Sequence, residues 1–428
     1  MKILETVLQI IIPLLVLGVI IMAHELGHFS VAKLFKIKVL EFWIFMGPKL
    51  FKWKRNETEY SLRAIPIGGM VRMEGEESTS EDSGSFTNKH PAKRMAVIAA
   101  GPITNIIFAL LIVIIVTVFS GYVINSIKLD GTDSSAYAAG IREGDKILSV
   151  NGVNVFDPSV DFQLLTYLKT DKPITMQVQR AGAPGPIDVS IIPTKSYKLG
   201  VGFSKDTTTP TSIVSVDPQG PAQKAGIQVG DILKAINGNP VADFKKAKEL
   251  ISGSGGAQLN IVVSRNGVDV PIKITPTLQD DNIGIKLDSG KGNPIEVLGA
   301  SVNYCISVTR SNFYTIGWLI TGKLSLDNIS GPVGMVKAMG DVMHSSPTFP
   351  DNLVNLMLTA AFISLCLGVF NLLPFPALDG SKILILLFEI ITKKKLKPEK
   401  EAIISIVGLA ILLSFMLAVT VMDIMKFF

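Results

Sequence analysis

Long apolar runs and short, broken ones divide this chain into two kinds of territory. Long, mainly hydrophobic stretches lie near residues 6–28, 95–119, 353–373 and 402–423. Each approaches the ~20 apolar residues that a helix needs to cross a bilayer core, so the pattern predicts four transmembrane helices. The first run has neither a cluster of positive charge at its amino end nor a small-x-small cleavage site after it. It is therefore expected to stay as a span rather than be removed as a signal peptide. A fifth apolar stretch, 295–322, contains Asn303, Arg310, Ser311 and Asn312. An amphipathic helix on the outer membrane surface is the expectation there, with a fifth span as the alternative.

Residues 122–287 follow another pattern, with Gly, Pro and polar turns between short β-rich runs. They contain a repeat at an offset of 86: Ala136, Ala139, Gly140, Ile141, Gly144, Asp145, Ile147, Val150, Asn151 and Gly152 return as Ala222, Ala225, Gly226, Ile227, Gly230, Asp231, Leu233, Ile236, Asn237 and Gly238. In each copy Ala-Gly ends a short helix with glycine at the cap. Gly-Asp then turns into a strand, and Asn-Gly makes a tight hairpin.

Composition agrees with the membrane reading. Of 428 residues, 48% are hydrophobic and 18% charged, with a mean hydropathy of +0.42. Soluble domains carry about a quarter charged residues, which argues against an ordinary soluble enzyme and excludes a disordered chain. The 41 basic and 36 acidic side chains leave a net charge of +5, too small to indicate a nucleic-acid partner. Their placement is more informative. Lys36, Lys38, Lys49, Lys52, Lys54, Arg55, Arg63, Arg72, Lys89, Lys93 and Arg94 lie between the first two runs, and Lys393, Lys394, Lys395, Lys397 and Lys400 between the last two. Basic loops stay in the cytoplasm, so residues 120–352 and both termini are expected outside.

The candidate chemistry is compact. Two cysteines, Cys305 and Cys366, exclude a disulfide framework and a Cys-based metal site, and the chain has only four histidines. Two of them, His24 and His28, flank Glu25 in His24-Glu25-Leu26-Gly27-His28. Spaced by four, they share one face of a helix. This HExxH pattern holds zinc through two imidazoles and supplies a carboxylate to take a proton from water. Two histidines and a glutamate inside an apolar helix are costly without such a task. A catalytic zinc needs a third protein ligand. His90 and His344 read as surface residues. Asp379, in Asn371-Leu-Leu-Pro-Phe-Pro-Ala-Leu-Asp379-Gly380, is the better candidate, because Pro374 and Pro376 break the third apolar stretch beside it. Broken backbone at membrane depth must be packed in protein or line a cavity.

HELGH in the first span, NLLPFPALDG after the third, and the AGIxxGDxILxxNG repeat between spans two and three together resemble the site-2 protease family of intramembrane zinc metalloproteases, in its RseP-type branch. The repeat itself resembles PDZ domains of the bacterial protease type. The resemblance implies an α-helical multi-span membrane protein with four transmembrane helices, a membrane-associated β element and two extracytoplasmic α+β PDZ domains. The organisation would be 1–121 for the first two spans with HELGH and the basic β loop, then 122–203 and 204–290 for the PDZ domains. Residues 291–352 would form an extracytoplasmic amphipathic region, and 353–428 the last two spans with NLLPFPALDG. It implies Zn2+ held by His24, His28 and Asp379, and Glu25 as the catalytic acid/base. Substrate would be held at Asn371 and at a β element carrying Gly68 and Gly69. Asn105, in Gly101-Pro102-Ile-Thr-Asn105, is expected to pack near the site. The implied substrates are single-pass membrane proteins such as anti-sigma factors, trimmed by an upstream site-1-type protease, and possible leftover signal peptides. The implied location is the bacterial cytoplasmic membrane, with the PDZ domains screening substrates by size.

Overall fold

A computed structural model describes residues 2–427, apart from 77–79, 130–133, 168–172, 194, 205–210, 218–219, 281–282, 326–328, 344, 347 and 396–397. His344 therefore lies outside the described residues. The chain opens with α1 (Lys2–Leu34), the strands β1 (Val39–Arg55) and β2 (Thr58–Met73), and α2 (Pro91–Ser120). Next come β3 (Tyr122–Leu129), α3 (Ser135–Ala138), β4 (Lys146–Val150), β5 (Val153–Asn154), α4 (Pro158–Tyr167), β6 (Ile174–Gln179) and β7 (Ile187–Ile191). These are followed by β8 (Lys195–Lys198), β9 (Val201–Phe203), β10 (Ile213–Val216), α5 (Pro221–Lys224), β11 (Ile232–Ile236), β12 (Asn239–Pro240) and α6 (Phe244–Ser252). Strands β13 (Leu259–Arg265), β14 (Val268–Ile274), β15 (Thr277–Asp280) and β16 (Ile285–Gly290) lead to α7 (Pro294–Ile320), α8 (Pro332–Val342), α9 (Phe349–Asn371), α10 (Asp379–Thr392) and α11 (Pro398–Phe427).

Two compact units result. One comprises Met1–Asn125, Val155–Leu168 and Asp288–Phe428; the other comprises Ser126–Asn154 and Lys169–Leu287.

In the first unit, four helices among the described residues are long and apolar enough to cross a membrane: Val7–Leu34 of α1, α2, α9, and Lys400–Lys426 of α11. The 295–322 stretch forms α7, which is not among them. Local chemistry sets the ends of α2. Pro91 sits at the first helical position, where its missing N–H is no loss. His90 caps that end by accepting from the Ala92 N–H, and Gly121, at φ +84°, ends the helix. Small residues let the helices approach. A Cβ at Gly27 of α1 would lie 2.4 Å from Thr104 Oγ1 of α2, and one at Gly368 of α9 would lie 2.8 Å from the Pro102 carbonyl. Close backbone approach of this kind is how apolar helices associate without a hydrophobic driving force.

The β1–β2 hairpin folds back on itself. Positive φ at Phe45 and Gly47 in β1 and at Gly68 in β2 marks the bends. Glu41, Phe42, Trp43 and Ile44 each pair with two partners, one among residues 59–62 and one among 69–72. The four segments thus run in the order 49–55, 58–63, 41–46, 69–73, and residues 69–73 form an edge. Phe42, Val71 and Met73 pack with Ala32, Val97, Ile98 and Leu386 in one hydrophobic cluster, which anchors this edge to α1, α2 and α10. The buried Arg94–Glu389 ion pair, 3.0 Å, fastens α2 to α10.

The second unit shows the sequence repeat as a duplicated sheet, β5-β4-β6-β7 and β12-β11-β13-β14. Both Asn-Gly turns adopt positive φ at both positions, +50° and +77° at Asn151-Gly152 and +48° and +78° at Asn237-Gly238, the geometry of a tight two-residue hairpin. The expected boundary at 203/204 separates β9 from its partner β10. Strand β8 likewise pairs with β15, and Leu199 belongs to the hydrophobic cluster of the second copy. Strands β8 and β9 are thus part of the second sheet system rather than the end of the first.

Candidate metal centre

α1 presents His24 and His28 one turn apart on the face that meets α2. Their rings lie edge to face, with centroids 4.7 Å apart. Asp379 arrives from the other end of the chain, in the first turn of α10. This restart follows the proline-broken segment after α9, where Ala377 takes φ +78°. A Cβ at Gly380 would sit 2.2 Å from the Leu373 carbonyl, so the tight turn depends on glycine there.

Three ligand-type atoms converge within 4.8 Å of one another. The two Nε2 atoms are 3.1 Å apart, and Asp379 Oδ2 is 3.1 Å from His24 Nε2 and 3.5 Å from His28 Nε2. The outer ring nitrogens explain why the inner ones are free. His28 Nδ1 donates to the Val97 carbonyl at 2.9 Å. Its neutral ring must then present an Nε2 lone pair inward. His24 Nδ1 lies 3.5 Å from the Asn105 carboxamide, whose buried Oδ1 has no hydrogen-bond partner. Turned so that Oδ1 faces the ring, this carboxamide accepts the Nδ1–H and both groups are satisfied.

Two imidazole lone pairs and a carboxylate oxygen this close repel each other unless a cation lies among them. A tetrahedral zinc with ligand bonds of about 2.0–2.1 Å places its ligand atoms about 3.3 Å apart, and the observed spacings bracket that value. Gly101 keeps the space open: a Cβ there would be 2.3 Å from His28 Nε2 and 2.8 Å from His24 Nε2.

The three side chains line a cavity of about 280 Å3 together with Glu25, Gly69, Met70, Val71, Arg72, Met73, Glu76, Ile98 and Lys382. Glu25 accepts a hydrogen bond from the Val71 backbone, and a Cβ at Gly69 would meet its Cγ at 3.1 Å. The edge segment 69–73 therefore forms one wall. The structure brings His24, Glu25, His28, Asp379 and Gly69 to the cavity and sets Asn105 behind His24. Gly68 instead packs against Met46, and Asn371 is half-buried at the end of α9; neither is in the cavity lining. The local pattern marks Gly101 only as part of the motif that ends in Asn105, and does not point to the Val97 carbonyl or to Lys382. The signals were present in a glycine within an apolar helix and a lysine one turn beyond Asp379. His90, read as a surface residue, caps α2.

Two histidines on a membrane-length helix, met by an aspartate from α10 and with a glutamate beside them, are the donor set of a zinc-dependent hydrolase. The chain matches the model of Peptidase family M50 over residues 12–415. It is 30% identical over 443 residues to the zinc metalloprotease RasP of Geobacillus kaustophilus, covering 99% of each chain. It is 29% identical over 433 residues to the regulator of sigma-W protease RasP of Bacillus subtilis, covering 97% of this chain and 98% of that one. The crystal structure of the HtrA3 PDZ domain bound to a phage-derived ligand is similar over 21% of this chain and 91% of that chain, at 23% identity and a TM-score of 0.18. The chain belongs to Peptidase family M50. It is a zinc metalloprotease and a bacterial membrane protein.

Proposed function

We propose that this protease hydrolyses peptide bonds in transmembrane segments of single-pass membrane proteins, with His24, His28 and Asp379 holding the zinc. The observation that carries the reading is the convergence of these side chains with Glu25 beside an edge strand, in a unit built from membrane-length helices. Zinc, when bound, lowers the pKa of a water to about 7 and polarises the scissile carbonyl. Glu25 takes the water proton and passes it to the leaving nitrogen. A helical substrate shields its own peptide bonds, so it must unwind, and segment 69–73 offers its free edge to the released backbone groups. Asn105 and the Val97 carbonyl hold the two imidazoles in the required tautomer.

The finer assignments follow from the same reading. The duplicated sheets are two PDZ domains, expected at 122–203 and 204–290, with β8 and β9 joining the second. They and both termini lie outside the cytoplasm, and the basic loops inside. There the PDZ domains admit substrates already trimmed by a site-1-type protease. A relative named as a regulator of sigma-W supports anti-sigma factors as the substrate class. Asn371 and Gly68 shape the substrate path from outside the cavity.

The test uses purified full-length protein and a model transmembrane peptide. Glu25→Gln should keep its zinc and lose cleavage, and Asp379→Ala should lose zinc. Near-normal turnover by Glu25→Gln, or unchanged zinc affinity in Asp379→Ala, overturns the corresponding role.

A further inference from the structure

Peptide hydrolysis places negative charge on the scissile carbonyl oxygen, and a protease aims a hydrogen-bond donor at that charge. Among the described residues that line the cavity, the side chains other than the two histidines that carry N–H donors are Arg72 and Lys382. Arg72 is committed elsewhere: its guanidinium pairs with Glu41, whose other oxygen accepts from Trp43 Nε1 at 2.6 Å. Lys382 is held more loosely. Its Nζ lies 3.3 Å from Glu76 Oε1, longer than the ~2.7–2.9 Å of a tight charge-assisted bond. It stands three residues after Asp379 on α10, hence on the same helix face. The helix beyond it is apolar, Ile383-Leu384-Ile385-Leu386-Leu387-Phe388, so Lys382 is the cation that this stretch of α10 brings to the cavity.

The geometry points to Lys382 as a further catalytic residue, whose ammonium leaves Glu76 to donate a hydrogen bond to the scissile carbonyl oxygen as charge develops there. This rests on the zinc-protease reading above. In the step, the water oxygen bonds to the carbonyl carbon and the carbonyl π pair moves onto oxygen. That pair then returns, the C–N bond breaks, and the proton held by Glu25 goes to the nitrogen. Lys382 stabilises the oxygen and transfers no proton. Glu76 is its resting partner.

The experiment compares full-length wild type, Lys382→Met, Lys382→Arg and Glu76→Gln for zinc content and for binding of two probes. One is a phosphinic pseudopeptide, which presents a tetrahedral anion. The other is a short peptidyl hydroxamate, which binds chiefly through the metal. Lys382→Met should keep its zinc, lose affinity for the phosphinic probe by about 100-fold, the scale of one lost oxyanion donor, and change less than threefold toward the hydroxamate. Lys382→Arg should recover most of the loss, and Glu76→Gln should bind the phosphinic probe as well as wild type or better. Equal losses in Lys382→Met and Glu76→Gln would mean that the pair only straps the turn after β2 to α10, and undiminished phosphinic binding by Lys382→Met overturns the role outright. Wild type that holds no zinc and binds neither probe takes down both this role and the reading beneath it.

Discussion

Helices α4 and α6 occupy the same place in the two copies of the repeat, yet they keep different company. Both are capped by an aspartate at the same offset: Asp157 accepts from the Ser159 N–H and Asp243 from the Lys246 N–H. Four residues into each helix comes the difference. In α6 the position is Ala247, fully buried with Ile251, Leu259 and Ile261 in the core of its own sheet. In α4 it is Asp161, equally buried, with its carboxylate turned to α7. Arg310 pairs with it at 2.5 Å, and Ser307 donates to it at 2.8 Å. Val160 joins Val308 and Leu365 in an apolar cluster, and Tyr167 stacks on Trp318 at 5.7 Å. Accordingly α4 is counted with the membrane-helix unit and α6 with the sheets. Phe244 of α6 remains half-exposed beside a groove of about 830 Å3 lined by Val201, Phe203, Lys248 and Ile251. One duplicated design therefore serves two ends: a charged residue in place of alanine bolts one helix to α7, while its twin borders an open groove.

The strongest way to break the contrast is to remove half of the bolt. Arg310→Met leaves the Asp161 carboxylate buried without its counter-charge, which should cost about 3–5 kcal/mol. Thermal unfolding in detergent should show the loss, and hydrogen exchange should rise first in α4. Replacing both partners, Asp161→Ala with Arg310→Met, should recover a large part of it, because the double variant leaves no stranded charge. If the double variant is as unstable as the sum of the single ones, the pair is not the unit that holds α4.

The reverse graft should be nearly as damaging. Ala247→Asp places a carboxylate in the second copy's core, where the cluster offers aliphatic neighbours. A loss of about 3 kcal/mol or more is expected, read as faster exchange in β11 and β13. A neutral outcome would mean that the second copy already has a polar outlet at this position.

Acid should treat the copies alike, since both carry the same ion pair at the Gly-Asp turn. Burial pushes the Asp145 carboxyl up, but bonds from Arg180 and the Arg142 N–H outweigh it and hold its pKa below the usual carboxylate range. At Asp231 the Arg265 bond is the leading cause, and the result is also depressed against the pull of burial. A depressed folded pKa means that the contribution is complete above the unfolded value near 3.9 and fades as pH falls through the folded one. Protection of β4–β6 and β11–β13 should therefore hold from pH 7 to about 5 and decline together below about 4. Asp145→Asn or Asp231→Asn should cost about 1.5–3 kcal/mol at pH 7 and less at pH 3. A decline centred near pH 6 would point to other groups.

The smallest effect sharpens the picture at the helix ends. Tyr167→Ala should cost about 1 kcal/mol through its lost stack on Trp318. Phe244→Ala, at an exposed rim, should change unfolding by about 0.5 kcal/mol or less. Equal losses would mean that the Phe203–Phe244 contact, 5.7 Å between centroids, packs as firmly as the stack.

Much of this protein is legible locally. Hydrophobic runs specify membrane-length helices because bilayer thickness sets their length. The i, i+4 spacing of His24 and His28 places both on one helix face whatever the rest of the chain does. The two Asn-Gly turns follow from the freedom of those residues at positive φ. Other features depend on partners far away in sequence. The third apolar run ends near 373, and nothing in its pattern marks the restart of α10 at Asp379, because that turn needs Gly380 tucked against the Leu372 and Leu373 carbonyls.

By itself, then, the sequence determined the helices, the turns, the duplication and the residue types of the metal centre, all features governed by short-range periodicity and local dihedral preference. Only the tertiary structure decided where those elements meet. It folds β1 and β2 back so that residues 69–73 become an edge beside Glu25, leaves Gly101 as the space between two imidazoles, and turns Lys382 toward the same cavity. It also couples Asp161 to Arg310, 149 residues away. No pattern along the chain marks such pairings, because their energy comes from burial and complementary charge supplied by segments that become neighbours only when the chain has folded.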